Sequence, residues 1–136
     1  MSFASGSCEL RVRYQETDCS GVVYHGGYFT YFEIGRTELL RSLGAPYRQL
    51  EDNGFQLAVV EAAARFLRPA RYDDLLRVET VVTAVAGARV GFAYRVTTGL
   101  PLLATGTTTL ACLHGETGRP RRVPPQLRDL LCCGPP

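Results

Sequence analysis

Between Cys8 and Tyr14 apolar and polar residues alternate, with Cys8, Leu10, Val12 and Tyr14 interleaved with Glu9, Arg11 and Arg13. A period of two predicts a half-buried strand. The pattern is lost over Gln15 to Gly21, which reads as a polar loop or an irregular strand end. From Tyr28 to Leu43 the period changes: Tyr28, Phe32, Leu39 and Leu43 fall at helical spacing, and Phe29, Leu40 and the small Gly35 widen the stripe. Gly44 stands where a helix often ends in a left-handed residue, and Pro46 discourages continuation. Glu38 and Arg41, three apart, offer a modest surface pair. A glycine inside a helix costs about 1 kcal/mol in propensity, so Gly35 implies either close packing against another element or simple tolerance.

The remaining pattern is mainly that of strands. Phe55 to Leu67 is apolar enough for a long one, although Ala62-Ala63-Ala64 leaves a helix open. Pro69 to Asp74 makes a turn. Leu76, Val78 and Val82 then alternate with polar positions, and Gly87 marks a reversal before Val90, Phe92, Tyr94 and Val96. Gly99 to Pro101 turns the chain again into a Thr-rich strand from Leu102 to Leu113. The order strand, helix, four strands predicts an α+β domain in which an antiparallel meander buries its apolar face on one long helix. An exposed edge strand in such a sheet needs cover, and pairing with a second copy of the chain would supply it.

Composition narrows the class. At 136 residues, with 46% hydrophobic and 21% charged residues, the chain suits one globular domain with its own core. We place that core at about residues 9–115 and treat 116–136 as a C-terminal tail. A formal charge of +2 points to no nucleic-acid partner. The densest basic run, Arg119, Arg121 and Arg122, reads as a solvated tail or an anion contact. Cys8, Cys19, Cys112, Cys132 and Cys133 are odd in number and lack C-x-x-C spacing, against a disulfide framework or structural zinc. Neither a signal peptide nor a membrane span is legible, so the cytoplasm is the expected location.

Few polar residues occupy positions suggestive of chemistry. Asp18 precedes the helix, with Gly21, His25, Gly26 and Gly27 between. A helix start presents unpaired N–H groups that can polarise a carbonyl, glycines let backbone approach it, and a carboxylate can attack it or activate water. Asp18 is equally readable as a turn or N-capping carboxylate, and His25 as a structural residue at the helix start. With His114 as the only other histidine, no metal site is expected. Glu33 and Glu61 are read as either solvated or site-facing.

The stretch Arg13-Tyr14-Gln15-Glu16-Thr17-Asp18-Cys19-Ser20-Gly21-Val22-Val23-Tyr24-His25-Gly26-Gly27-Tyr28 closely resembles the signature of the 4-hydroxybenzoyl-CoA thioesterase family, which includes the YbgC-like acyl-CoA thioesterases. Phe32-Glu33, Arg36-Thr37-Glu38 and Leu43-Gly44 resemble its central helix, Pro69 to Leu75 its following turn, and Thr117 to Pro124 its closing motif. The likeness covers about residues 9–125. It implies a hotdog fold, an antiparallel sheet wrapped around one long central helix, and hydrolysis of an acyl- or aroyl-CoA. Asp18 would be the essential carboxylate, a backbone N–H around Tyr24 or His25 the oxyanion donor, and His25 a site residue. Tyr24, Tyr28 and Phe29 are read equally as lining an acyl pocket or as core residues, Gly26 is taken as a substrate contact, and Arg89, Arg119 and Arg121 are assigned from charge to the CoA phosphates. Coenzyme A enters as part of the substrate, so no cofactor is expected. The partner expected besides an acyl-CoA or acyl-pantetheine substrate is the chain itself, as a homodimer or homotetramer with sites at the subunit interface. Two departures stand out: Gln15 where the motif usually has an acid, and Thr108-Thr109-Leu110-Ala111 where Thr-x-His-Ala is usual. An acyl-carrier-protein thioesterase and a non-catalytic hotdog module that binds acyl thioesters are the competing readings.

Overall fold

The computed structural model describes residues 2–133. Five strands form one antiparallel sheet in the order β1-β3-β4-β5-β2: β1 Ser5–Arg11, β2 Phe55–Phe66, β3 Leu75–Ala86, β4 Arg89–Thr97 and β5 Leu102–His114. The long helix α1 spans Gly27–Ser42, and two shorter helices follow, α2 Tyr47–Asp52 and α3 Pro125–Cys133. The expected β3–β4–β5 meander is present, β1 joins its outer side and β2 pairs with β5. The alanine run lies within β2, which removes the helical alternative.

α1 packs across one face of the sheet. Leu76, Val78, Val90, Phe92, Tyr94 and Val96 turn toward it and are buried, as the period of two requires. Tyr28, Tyr31, Phe32, Gly35, Leu39 and Leu40 answer from the helix. The Phe32 ring stacks on Tyr94 at 4.5 Å. Gly35 is explained by close approach: a Cβ there would stand 2.5 Å from Thr80 Oγ1 and 2.8 Å from Val78 Cγ1.

Several expectations are corrected. Strand β1 begins at Ser5 and ends at Arg11, and Tyr14–Glu16 forms a single 3-10 turn instead of extending the strand. Phe29 does not join the buried stripe, being 38% exposed, whereas Tyr31 does. Residues 116–136 are not a solvated tail throughout. Val123, Leu127 and Leu131 are buried, and the Leu131 carbonyl accepts a hydrogen bond from the Ala4 N–H at 2.8 Å. The missed signal was short-range: Leu127, Leu130 and Leu131 recur at helical spacing just after Pro125, a residue favoured in a helix's first turn.

Cover of the sheet is uneven. Val59 pairs with Leu110, and Phe66 with Ala104, partners that are buried on the α1 side. Yet Val59 and Phe66 are each 48% exposed, because α1 lies over β1 and β3 more than over the edge strand β2.

Candidate active site

The polar stretch before α1 is a tight, well-bonded loop. The Asp18 N–H donates to the Val22 carbonyl at 2.8 Å, and a bridge joins Thr17 to Val23. Asp18 Oδ1 accepts from the Ser20 N–H at 2.8 Å and the Val22 N–H at 3.4 Å. One carboxylate oxygen thus holds the turn, while Oδ2 has no hydrogen-bond partner among the described residues and the residue is exposed.

Beyond the loop, the Val23 N–H donates to the Ala70 carbonyl, which ties the chain to the turn before β3. Successive turns then lead into α1: Gly27, Tyr28 and Phe29 N–H groups donate to the Tyr24, His25 and Gly26 carbonyls. This leaves the N–H groups of His25 and Gly26 without partners among the described residues. The Tyr24 N–H is not available, because it donates to the Glu16 carbonyl at 3.0 Å. At the helix start the N–H groups of His25 and Gly26 are therefore the ones free to donate, whereas that of Tyr24 is engaged. The Tyr24 ring lies over Gly26, where a Cβ would stand 2.6 Å from Tyr24 Cε2, so glycine is required for that ring position.

The His25 imidazole sits between two rings, 4.3 Å from Tyr24 and 6.1 Å from Phe66, centroid to centroid. With Tyr28, Phe66, Leu67 and Arg68 it lines a cavity of about 270 Å³ at the Phe66 end of β2. Phe66 and Arg68 were not singled out in the sequence; they reach the site because Phe66 pairs with Ala104 and Arg68 donates its N–H to Leu103. Tyr28 is buried, and burial pushes its hydroxyl above the ordinary phenol value, so the ring lines the cavity as a neutral phenol. Larger hollows of about 380 and 520 Å³ lie on the outer face of the sheet, around Val81, Ala93 and Thr107, and contain none of these groups.

The structure does not gather every candidate. Arg89, Arg119 and Arg121 cluster at the opposite end of the sheet, where Arg89 pairs with Ala111 and the Arg121 guanidinium lies 4.0 Å over the Phe55 ring. Phe55 begins β2 and Phe66 ends it, so at roughly 3.3 Å per residue the two ends are on the order of 35 Å apart. Within one chain these arginines cannot serve the Asp18 loop. Glu33 lines a separate cavity of about 190 Å³ with Arg36, Thr37, Tyr47 and Leu57. Glu61 is exposed on β2, at its register shift. Among the described residues no cluster of three or more His, Cys, Asp or Glu could hold a metal.

The family model described as the thioesterase-like superfamily matches residues 12–131. The chain is 36% identical over 123 residues to the acyl-CoA thioesterase YbgC of Haemophilus influenzae, covering 90% of each protein. The crystal structure of a probable thioesterase from Bartonella henselae superposes with a TM-score of 0.83 at 35% identity, covering 89% of this chain and all of that one. A DHNA-CoA thioesterase from Staphylococcus aureus gives 0.84 at 31% identity, covering 87% of this chain and 80% of that one.

Proposed function

The chain belongs to the thioesterase-like superfamily and is a thioester hydrolase with the hotdog fold, acting on acyl-CoA; from that premise we propose that the Asp18 loop and the start of α1 are its active site. One observation carries the assignment. A carboxylate with a free oxygen and two unpaired N–H groups occur within nine residues, beside a cavity that could admit the acyl thioester.

In this mechanism the thioester carbonyl oxygen rests on the His25 N–H, with the Gly26 N–H beside it. These fixed donors favour the negative charge that develops on that oxygen, and they need no reorganisation as it forms. Either Asp18 Oδ2 takes a proton from the water that attacks the carbonyl carbon, or it attacks that carbon itself to give a mixed anhydride that water then cleaves; in both routes the C–S bond breaks, the coenzyme A thiolate leaves and takes up the proton that the water gives up, and the free acid is released. Tyr28, Phe66 and the His25 ring wall the reacting end, and the mechanism calls on no metal or further cofactor.

The uncovered apolar side of β2 supports a homodimer in which this strand pairs antiparallel with its own copy. A two-fold axis near Glu61–Ala62 would set Phe66 of one chain opposite Leu57 of the other. The arginines at the Phe55 end would then come from the partner to the site, which restores Arg119 and Arg121 as contacts for the CoA phosphates. The 190 Å³ cavity beside Leu57 would also be brought up to receive the acyl group. A cavity of about 150 Å³ holds benzene, so this one suits a single ring or a short chain. Unpaired thiols at Cys8, Cys19, Cys112 and Cys132 support a reducing compartment such as the cytoplasm. No described helix is long and apolar enough to cross a membrane.

The test is hydrolysis of a panel of acyl-CoAs, followed by loss of thioester absorbance, with the same acyl groups on acyl carrier protein run in parallel. Faster turnover of short-chain or single-ring CoA substrates is expected. A preference for the carrier-protein forms, or for long chains, would overturn the substrate assignment.

A further inference from the structure

Nothing in the mechanism uses Glu16, yet it is the most heavily bonded carboxylate near the site. Its Oε1 accepts from the Arg13 N–H at 2.8 Å and from the Tyr31 hydroxyl at 3.0 Å, and its Oε2 accepts from Arg13 Nε at 3.1 Å. Only 15% of the side chain is exposed. Burial alone would raise its pKa, but the bonds from Arg13 and Tyr31 outweigh it and hold the carboxyl below its ordinary value. Tyr31 is 1% exposed within α1, and burial together with the bond to Glu16 pushes its phenol well up. The pair is therefore a carboxylate and a neutral phenol throughout the neutral range.

The main chain of the same residue closes the other side. Its carbonyl accepts the Tyr24 N–H, and the next N–H along the chain is that of His25. Asp18 lies two residues after Glu16. One residue thus links three things: the body of α1 through its side chain, the His25 donor through its carbonyl, and Asp18 through the chain itself. Asp18's own hydrogen bonds stay inside its loop, so they fix the loop's shape but not its position relative to the helix.

We propose that Glu16 and Tyr31 are positioning residues: their hydrogen bond clamps the Asp18 loop to α1 and sets the spacing between the Asp18 carboxylate and the His25 N–H. This rests on the reading of those two groups as the working pair. Misplacing reacting groups by about 1 Å can cost about 100-fold in rate, so a clamp of this kind acts on turnover more than on binding.

Tyr31→Phe removes one hydroxyl and leaves the buried ring. It is expected to lower kcat by about 10-fold or more with KM within about twofold, while the melting temperature and circular dichroism remain close to those of the unaltered protein. A double-mutant cycle separates the clamp from general loosening. In a Glu16→Ala background, Tyr31→Phe should change kcat by less than about twofold, because its partner is already gone. Glu16→Gln keeps an acceptor for Tyr31 and should retain more turnover than Glu16→Ala. Unchanged kcat in Tyr31→Phe, or independent losses in the two backgrounds, would overturn the clamp. Asp18→Asn in the same assay keeps the two readings apart. If it abolishes turnover while Tyr31→Phe does nothing, only the clamp fails. If Asp18→Asn remains active, the reading of the site fails.

Discussion

Replacing Gly35 with alanine sets two effects of opposite sign against each other, and the structure decides between them. In a helix interior alanine is favoured over glycine by about 1 kcal/mol. Here the added methyl would stand 2.5 Å from Thr80 Oγ1 and 2.8 Å from Val78 Cγ1, against a comfortable separation of roughly 3.5–4 Å between carbon atoms. Both neighbours are short side chains on the interior strand β3, 2% and 0% exposed, and neither can swing away. Overfilling a packed core typically costs about 1–3 kcal/mol, and contacts this short put Gly35→Ala at the upper end, so after the propensity gain the net destabilisation is up to about 2 kcal/mol. At this size that lowers the melting temperature by several degrees, on the order of 3–4 °C per kcal/mol. Thr80 offers the control. Its hydroxyl is buried without a hydrogen-bond partner, so Thr80→Ala removes the nearer clash and leaves no acceptor stranded. Differential scanning calorimetry of both single variants and the double should show coupling, with Gly35→Ala milder in the Thr80→Ala background. A stabilising Gly35→Ala, or strict additivity with Thr80→Ala, would refute close helix–sheet approach as the reason for this glycine.

Three further outcomes follow from the structure. The folded-state pKa of Glu16 is depressed, so its contribution to stability is complete above the unfolded value near 4.5 and is lost as pH falls through the lower folded value; acid unfolding of Glu16→Gln should show a weaker pH dependence there than the unaltered protein. Leu131 is fully buried, so Leu131→Ala should cost about 2–5 kcal/mol in a denaturant titration, whereas a solvated tail would give almost nothing. Val59→Lys places a charge on the uncovered side of β2 and should shift the proposed dimer toward monomer in light scattering, with turnover falling in parallel; an active monomer would contradict a site completed by the partner.

How far the sequence was legible depended on the range of the forces involved. Alternation in β4 and the helical stripe of α1 record burial against a single neighbouring layer, and both elements formed where the periodicity put them. α2 is too short for periodicity to stand out, and the brief helical spacing of Leu127, Leu130 and Leu131 in α3 acquires meaning only against the sheet. Phe29 and Tyr31 illustrate the same point within α1: which aromatic turns inward depends on where the sheet ends, and a phenol is buried readily once Glu16 accepts a hydrogen bond from its hydroxyl. At the site, the Asp18 and His25 positions came from a local motif. That the Tyr24 N–H is engaged and the His25 N–H free was not legible there, because it turns on a bond from the Tyr24 N–H to a carbonyl eight residues earlier. Nor could charge alone reveal that Arg89, Arg119 and Arg121 lie at the far end of the strand pair from Asp18.

The central claim is that the Asp18 carboxylate performs the chemistry. Asparagine at this position keeps an oxygen for the Ser20 and Val22 N–H groups, so the loop should hold its shape while the reactive oxygen is lost. Steady-state hydrolysis of a short-chain or aroyl-CoA by Asp18→Asn, alongside its melting curve, measures this directly. The account predicts a loss of kcat of at least about 100-fold with folding intact. Turnover within a few-fold of the unaltered protein would contradict it.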